Sequence, residues 1–174
     1  DYKTQYSVLN AVIVSLCGLI SSYAGGWISD TYEKKGYFMT KAYICMFAGL
    51  AGIPTMFFCT MLQTNFWLSI SFLGAEYLVA ECFFSPAIAM VLNTISVANR
   101  GFAVSVYLFC ATIAGTFATW LLGQLATTYD AKTNTYLYGR ILFIFVCISY
   151  GGSVPFFYLA GRTYTKVKKT EAAE

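Results

Sequence analysis

The fold is decided by residues 66–96, which read FWLSISFLGAEYLVAECFFSPAIAMVLNTIS. Glu76 and Glu81 carry the only charges in this apolar stretch, which is long enough to cross the roughly 30 Å hydrocarbon core of a bilayer. An ionised carboxylate at the centre of a helix in lipid costs about 2.5–3.5 kcal/mol on insertion scales. We therefore expect this helix to turn its acidic groups toward a partner, a polar cavity or a solute path.

The rest of the chain has the same apolar character. Charged residues make up only 11% of the sequence, whereas soluble domains carry about 25%. Long runs contain no Asp, Glu, Lys or Arg, namely residues 6–29, 42–75, 101–129 and 141–161. The sequence therefore predicts an all-α integral membrane protein. Five spans can be placed, at about residues 6–29, 41–62, 66–95, 101–128 and 138–161. They form one transmembrane bundle over residues 1–164, and a tail follows over residues 165–174.

The basic residues predict how the bundle is oriented. One side of the membrane receives Lys34, Lys35, Lys41, Arg100, Arg162, Lys166, Lys168 and Lys169, and the other receives Lys3, Lys132 and Arg140. Because cytoplasmic loops are enriched in Lys and Arg, we expect the first set and the C-terminus in the cytoplasm. The basic tail either contacts anionic lipid or simply flanks the last span.

The third span carries the candidate functional residues. One face has polar or small residues at steps of four, namely Tyr77, Glu81, Ser85, Ala89 and Asn93. Glu76 lies about 140° round the helix from Glu81, so the two carboxylates do not readily share a partner. Two roles stay open for Glu81: a protonatable or solute-contacting group in a central cavity, or a structural hydrogen bond or ion pair. For Glu76 the structural role is favoured.

The other spans differ in the faces that they offer for packing. Small residues at steps of four predict helix packing faces on the first span (Gly18, Ser22, Gly26) and on the fourth (Ala111, Gly115, Thr119, Gly123). The second and fifth spans are bulkier, and we expect them to face lipid.

Several kinds of chemistry are not indicated. All six cysteines lie inside apolar runs, no CxxC pair occurs and the chain has no histidine, so we expect no metal site. No catalytic triad or phosphate loop is present, which argues against an enzyme or a cofactor. The net charge of +3 predicts no nucleic-acid partner, because the basic residues follow the membrane topology. A start at Asp1 without Met suggests a fragment or a processed product.

Two short motifs resemble the major facilitator superfamily of transporters. Residues 25–30, GGWISD, followed by Lys34 and Lys35, resemble the loop motif after the second helix of each six-helix half. Thr31 and Glu33 depart from that pattern. Residues 99–103, NRGFA, are similar to the entry into the family's eleventh helix. Residues 80–85, AECFFS, look like the tenth helix of spinster-type lipid transporters.

The resemblance implies that the five spans are helices eight to twelve, most of one six-helix half. It implies a secondary active transporter that moves a small organic or lipid-like solute by alternating access, coupled to protons or other ions. Glu81, Ser85, Asn93, Tyr77 and Glu76 would contact the solute or carry the proton. The gating motif would comprise Gly26, Asp30, Lys34, Lys35 and Arg100, with Asp30 pairing near Arg100 at the start of the fourth span. The alternative for Asp30, Lys34 and Lys35 is a solvated loop that only sets the topology.

The expected partners are membrane lipids, the solute, and the missing N-terminal half or another membrane chain. The main alternative is a membrane scaffold subunit of a larger complex that keeps the transporter fold without transport. A channel is a weaker alternative, because no filter-like or re-entrant segment is visible.

Overall fold

The computed structural model describes residues 2–61, 65–130 and 134–171, and nearly all of these are helical. The helices are α1 (Tyr2–Glu33), α2 (Thr40–Met61), α3 (Phe66–Ala80), α4 (Phe84–Thr94), α5 (Arg100–Thr128) and α6 (Thr135–Glu171). Short 3₁₀ turns precede α4 and α5, at Glu81–Phe83 and Val97–Asn99. The described ranges contain no strand, so the predicted all-α class is confirmed.

Within the described residues, five helical segments are long and apolar enough to cross a membrane: Gln5–Glu33, Thr40–Met61, Phe66–Thr94, Val97–Thr128 and Tyr136–Glu171. The predicted number of spans is therefore confirmed. The third span comprises α3, the 3₁₀ turn at Glu81–Phe83 and α4. By the length and composition of its helices the chain is a multi-pass membrane protein.

The first span ends later than the sequence predicts. Asp30 and Glu33 belong to the last turn of α1 and not to a loop. The turn after the helix closes at Gly36, whose φ of 87° is the left-handed conformation that glycine adopts without strain. The Gly36 amide donates a 2.8 Å hydrogen bond to the Glu33 carbonyl. This extension fixes both acidic side chains on a helix.

The predicted tail over residues 165–174 is mostly helical. α6 continues through Glu171, and residues 172–174 lie outside the described part of the chain. No Pro or Gly follows Gly161, so nothing in the sequence interrupts the helix there. An ion pair of 2.7 Å between Lys168 and Glu171 supports its last turn.

The helix α2, which we expect to face lipid, is exposed on only one of its sides. Phe47 is 64% exposed, but the opposite side carries small residues that pack against α6. A Cβ on Gly52 would come within 2.6 Å of the Tyr150 ring, and one on Gly161 of α6 would overlap Ala42. The helices α2 and α6 are thus the most extensively packed pair among the described helices.

The small-residue face of α5 is not covered by the rest of the described chain. A Cβ added to Gly115 or Gly123 would meet no atom of the described residues within 4 Å. α5 approaches α4 and α6. No described helix therefore packs against this face of α5. The small-residue face of α1, in contrast, packs against the third span.

Candidate functional site

The third span breaks at Glu81, and Pro86 accounts for the break. Proline has no backbone N–H, so the carbonyl of Cys82, four residues earlier, loses its helical donor. The chain forms a 3₁₀ turn that begins at Glu81, whose own amide still donates to the Tyr77 carbonyl. The candidate carboxylate therefore lies at an interruption of the helix and not on a regular helix face.

Two glycines of α1 fit against this break. A Cβ on Gly25 would overlap the carbonyl oxygen of Cys82, and one on Gly26 would overlap the Ser85 hydroxyl. Helices come this close in membranes only where small residues meet. Gly26, predicted to belong to a gate, and Ser85, predicted to contact solute, thus lie against each other in a packed helix contact.

Glu81 lies beside the small-residue face of α1 and is only partly buried. A Cβ on Gly18 would be 4.0 Å from the Glu81 Cγ, and the Ser22 hydroxyl donates a 3.4 Å hydrogen bond to the Glu81 backbone carbonyl. The Glu81 carboxylate forms no ion pair or side-chain hydrogen bond with the described residues. Tyr77, one turn earlier, is also partly buried. The carboxylate is thus available to a proton, a solute or another chain.

Glu76 has a different environment, as its spacing from Glu81 predicts. Its side chain is buried, and its carboxylate accepts a 2.5 Å hydrogen bond from the Tyr150 hydroxyl of α6. Gly52 of α2 leaves the space that the Tyr150 ring fills. This contact joins α3 to α6 inside the bundle, which is the structural role favoured for Glu76.

Replacing Tyr150 with phenylalanine should lower the free energy of unfolding by about 1–3 kcal/mol, because a buried acceptor then loses its donor. The ring and its packing against Gly52 are kept, so the change isolates the hydrogen bond. Denaturation by SDS in mixed micelles measures the loss. Tyr43→Phe is the matched control, since Tyr43 is 55% exposed and should tolerate the change. Equal losses in both variants would show that the hydroxyl bond to Glu76 contributes nothing.

Asn93 belongs to a second group of side chains, about 18 Å along the span from Glu81 at 1.5 Å per residue. We call this group the Lys41 cluster, which comprises Asp30, Glu33, Lys41, Asn93 and Tyr164. The Lys41 ammonium is fully buried, pairs with Asp30 and lies 3.0 Å from Glu33 Oε2. Tyr164 donates to the other Glu33 oxygen and accepts a 3.1 Å hydrogen bond from the Asn93 amide. The predicted polar face of the third span is thus divided between two sites.

The Lys41 cluster gives Asp30 a different partner from the one predicted for the gate. Asp30 pairs with Lys41, and among the described residues it forms no ion pair with Arg100. Lys34, Lys35 and Arg100 are exposed and lie outside the cluster, and the Lys35 ammonium is 5.3 Å from the Tyr32 ring. Residues 34–39 form a short connection that places the first turn of α2 beside the last turn of α1. Lys41 therefore reaches Asp30 more easily than Arg100 does.

Sequence reasoning missed Glu33, Lys41 and Tyr164. The sequence did contain a signal for Lys41. When the loop between two helices is short, an acidic residue at the end of the first helix lies close to a basic residue at the start of the second. No comparable signal marks Tyr164, one of 14 tyrosines. No group of three or more His, Cys, Asp or Glu side chains able to hold a metal ion occurs in the described residues.

Comparison with known proteins adds no relative. No family model, curated protein or solved structure matches this chain. Any function must therefore be argued from the break at Glu81, the Lys41 cluster and the short motifs in the sequence.

Proposed function

We propose that this chain forms most of the C-terminal half of a secondary transporter of the major facilitator type, helices eight to twelve. The solute is a small organic or lipid-like molecule, moved by alternating access and coupled to protons or another ion. The observation that carries the proposal is the Glu81 carboxylate, which lies mid-span without a side-chain partner among the described residues. Placing a carboxylate inside a membrane costs free energy, and such groups mark the pathways of solutes, ions or protons.

The break beside Glu81 supports this role. A 3₁₀ turn has poorer hydrogen-bond geometry than an α-helix and often marks a hinge within a longer helix. The third span can therefore change its angle at Glu81 at lower cost than elsewhere along its length. A proton or solute bound by Glu81 then lies at the point where the third span bends. Bending of the span there would change the shape of the solute pathway.

The Lys41 cluster has a separate part in the proposal. The distribution of basic residues favours a cytoplasmic location for this end of the bundle and for the C-terminus. The cluster joins α1, α2, α4 and α6 by charged and hydroxyl contacts. These four helices then move as one body when this half rocks against the other half.

The test is Glu81→Gln in the full natural reading frame, assayed as proton-driven uptake into cells or proteoliposomes. Glutamine keeps the size and polarity of the side chain but cannot carry a proton, so uptake should fall by at least about tenfold, or 1.4 kcal/mol. Expression and the apparent melting temperature should stay unchanged. Undiminished uptake by Glu81→Gln would refute the role of Glu81.

The second candidate is a membrane scaffold subunit that keeps this fold without transport. The uncovered small-residue face of α5 is open to a helix of another chain, as a scaffold requires, and equally to a helix of the missing transporter half. The reading frame distinguishes the two candidates. Seven further helices encoded upstream support the transporter, and a short frame supports the scaffold.

A further inference from the structure

A groove with a strongly basic wall lies where α6 passes the first turn of α2. It is open to its surroundings, has a volume of about 320 Å³, and is lined by Arg162, Lys166 and Lys169 together with Met39, Tyr43, Tyr158 and Thr165. We call it the basic groove. Its volume is at the lower end of the range of small-molecule sites.

The positive charge of the basic groove is not balanced within the described chain. Arg162, Lys166 and Lys169 are four and three residues apart, so they share one face of α6. None of the three forms an ion pair with a described residue, and no acidic side chain lines the groove. Neighbouring carboxylates are already engaged, since Asp30 and Glu33 pair with Lys41. Like charges at this spacing repel each other, and a bound anion would relieve that repulsion.

The basic groove lies where the charge-free run of the last span ends. Arg162 follows directly after the charge-free run of residues 141–161, and Lys166 and Lys169 lie about 6 and 10 Å further along the helix axis. On the membrane side, the Arg162 guanidinium carbon lies 5.8 Å from the centroid of the Tyr158 ring. Tyr43 of α2 is 55% exposed beside it. One end of the groove is thus cationic and the other is aromatic and apolar.

We propose that the basic groove binds the headgroup phosphate of an anionic glycerophospholipid, with the start of an acyl chain lying along Tyr43 and Tyr158. Arg162 is suited to a bidentate contact with phosphate oxygens, and Lys166 and Lys169 add point charges. Basic pockets between membrane helices bind anionic headgroups in this way. A soluble phosphate could use the same cations, but it would leave the aromatic end of the groove unfilled. The proposal is independent of whether the chain transports a solute.

The test counts lipids bound to the full chain by native mass spectrometry, in neutral detergent micelles that contain phosphatidylglycerol or phosphatidylcholine. We expect one retained phosphatidylglycerol and no retained phosphatidylcholine. Each basic residue near a charged lipid contributes about a fivefold change in affinity, so Arg162→Gln with Lys166→Gln should weaken binding about thirtyfold. Lys169→Gln alone should weaken it about fivefold, which gives a milder test if the double variant folds poorly.

The matched control is Lys34→Gln with Lys35→Gln, which removes two exposed cations near the same end of the bundle but outside the basic groove. Its affinity for phosphatidylglycerol should match that of the unaltered chain. Equal retention of the two lipids would overturn the proposal, and so would an equal loss in the control variant. Displacement of the lipid by millimolar inorganic phosphate would overturn it in favour of a soluble anion.

Discussion

Replacing Lys41 with methionine should lower the free energy of unfolding by about 3 kcal/mol, the lower end of the range for breaking a buried ion pair. The Lys41 side chain is fully buried, and Glu33 keeps only 18% of its side chain exposed. Methionine fills similar space but leaves the Glu33 carboxylate with a single hydroxyl donor, from Tyr164. Asp30 is 59% exposed and can be solvated, so it contributes less to the loss.

Unfolding by SDS in mixed micelles measures this difference, with Lys34→Met as the matched control. Lys34 is exposed and has no ion pair within the described ranges, so its replacement should change the free energy of unfolding by less than about 0.5 kcal/mol. The double replacement Lys41→Met with Glu33→Gln should recover part of the stability, because it removes the unpaired charge as well. If Lys41→Met behaved like Lys34→Met, the cluster would have no part in holding the four helices together.

The number and approximate positions of the spans follow from local composition, which explains why the sequence predicted them. A stretch of about 20 apolar residues can satisfy its backbone in lipid only as a helix. Helix ends are harder to predict because they depend on single backbone contacts. The end of α1 at Glu33 depends on such a contact, the hydrogen bond from the Gly36 amide to the Glu33 carbonyl. The helix α6 instead continues through Glu171 because no Pro or Gly follows Gly161.

The candidate site was predictable to the extent that it depends on one helix. The 3.6-residue period separates Glu76 from Glu81, and the structure gives them different neighbours. Partners on other helices could not be deduced in the same way, because span positions do not fix which helices are adjacent. For this reason the pairs Asp30 with Lys41 and Asn93 with Tyr164 emerge only from the fold. Pro86 marks the break at Glu81 within the same span, but the contact of Gly25 and Gly26 with that break emerges only from the fold.

Replacing Gly25 with alanine should destabilise the bundle by about 2–3 kcal/mol, near the upper end for overpacking a close contact. The added methyl would overlap the carbonyl of Cys82, and a backbone atom of a packed helix cannot turn aside as a flexible side chain can. Gly18→Ala is the matched control on the same helix, because its methyl would lie an ordinary 4.0 Å from the Glu81 Cγ. That control should be neutral or slightly stabilising, since alanine favours a helix over glycine by about 1 kcal/mol.

SDS titration of both alanine variants would show whether the contact between α1 and the break is as close as the structure indicates. Equal stabilities would mean that α1 tolerates a side chain at Gly25, and hence that the break is not supported by this helix. If only Gly25→Ala is unstable, the position of Glu81 depends on two adjacent features: Pro86, which frees the Cys82 carbonyl, and Gly25, which packs against it. The acidic group would then be placed by a helix contact that admits no side chain, and any motion of α1 against the third span would move the Glu81 carboxylate with it.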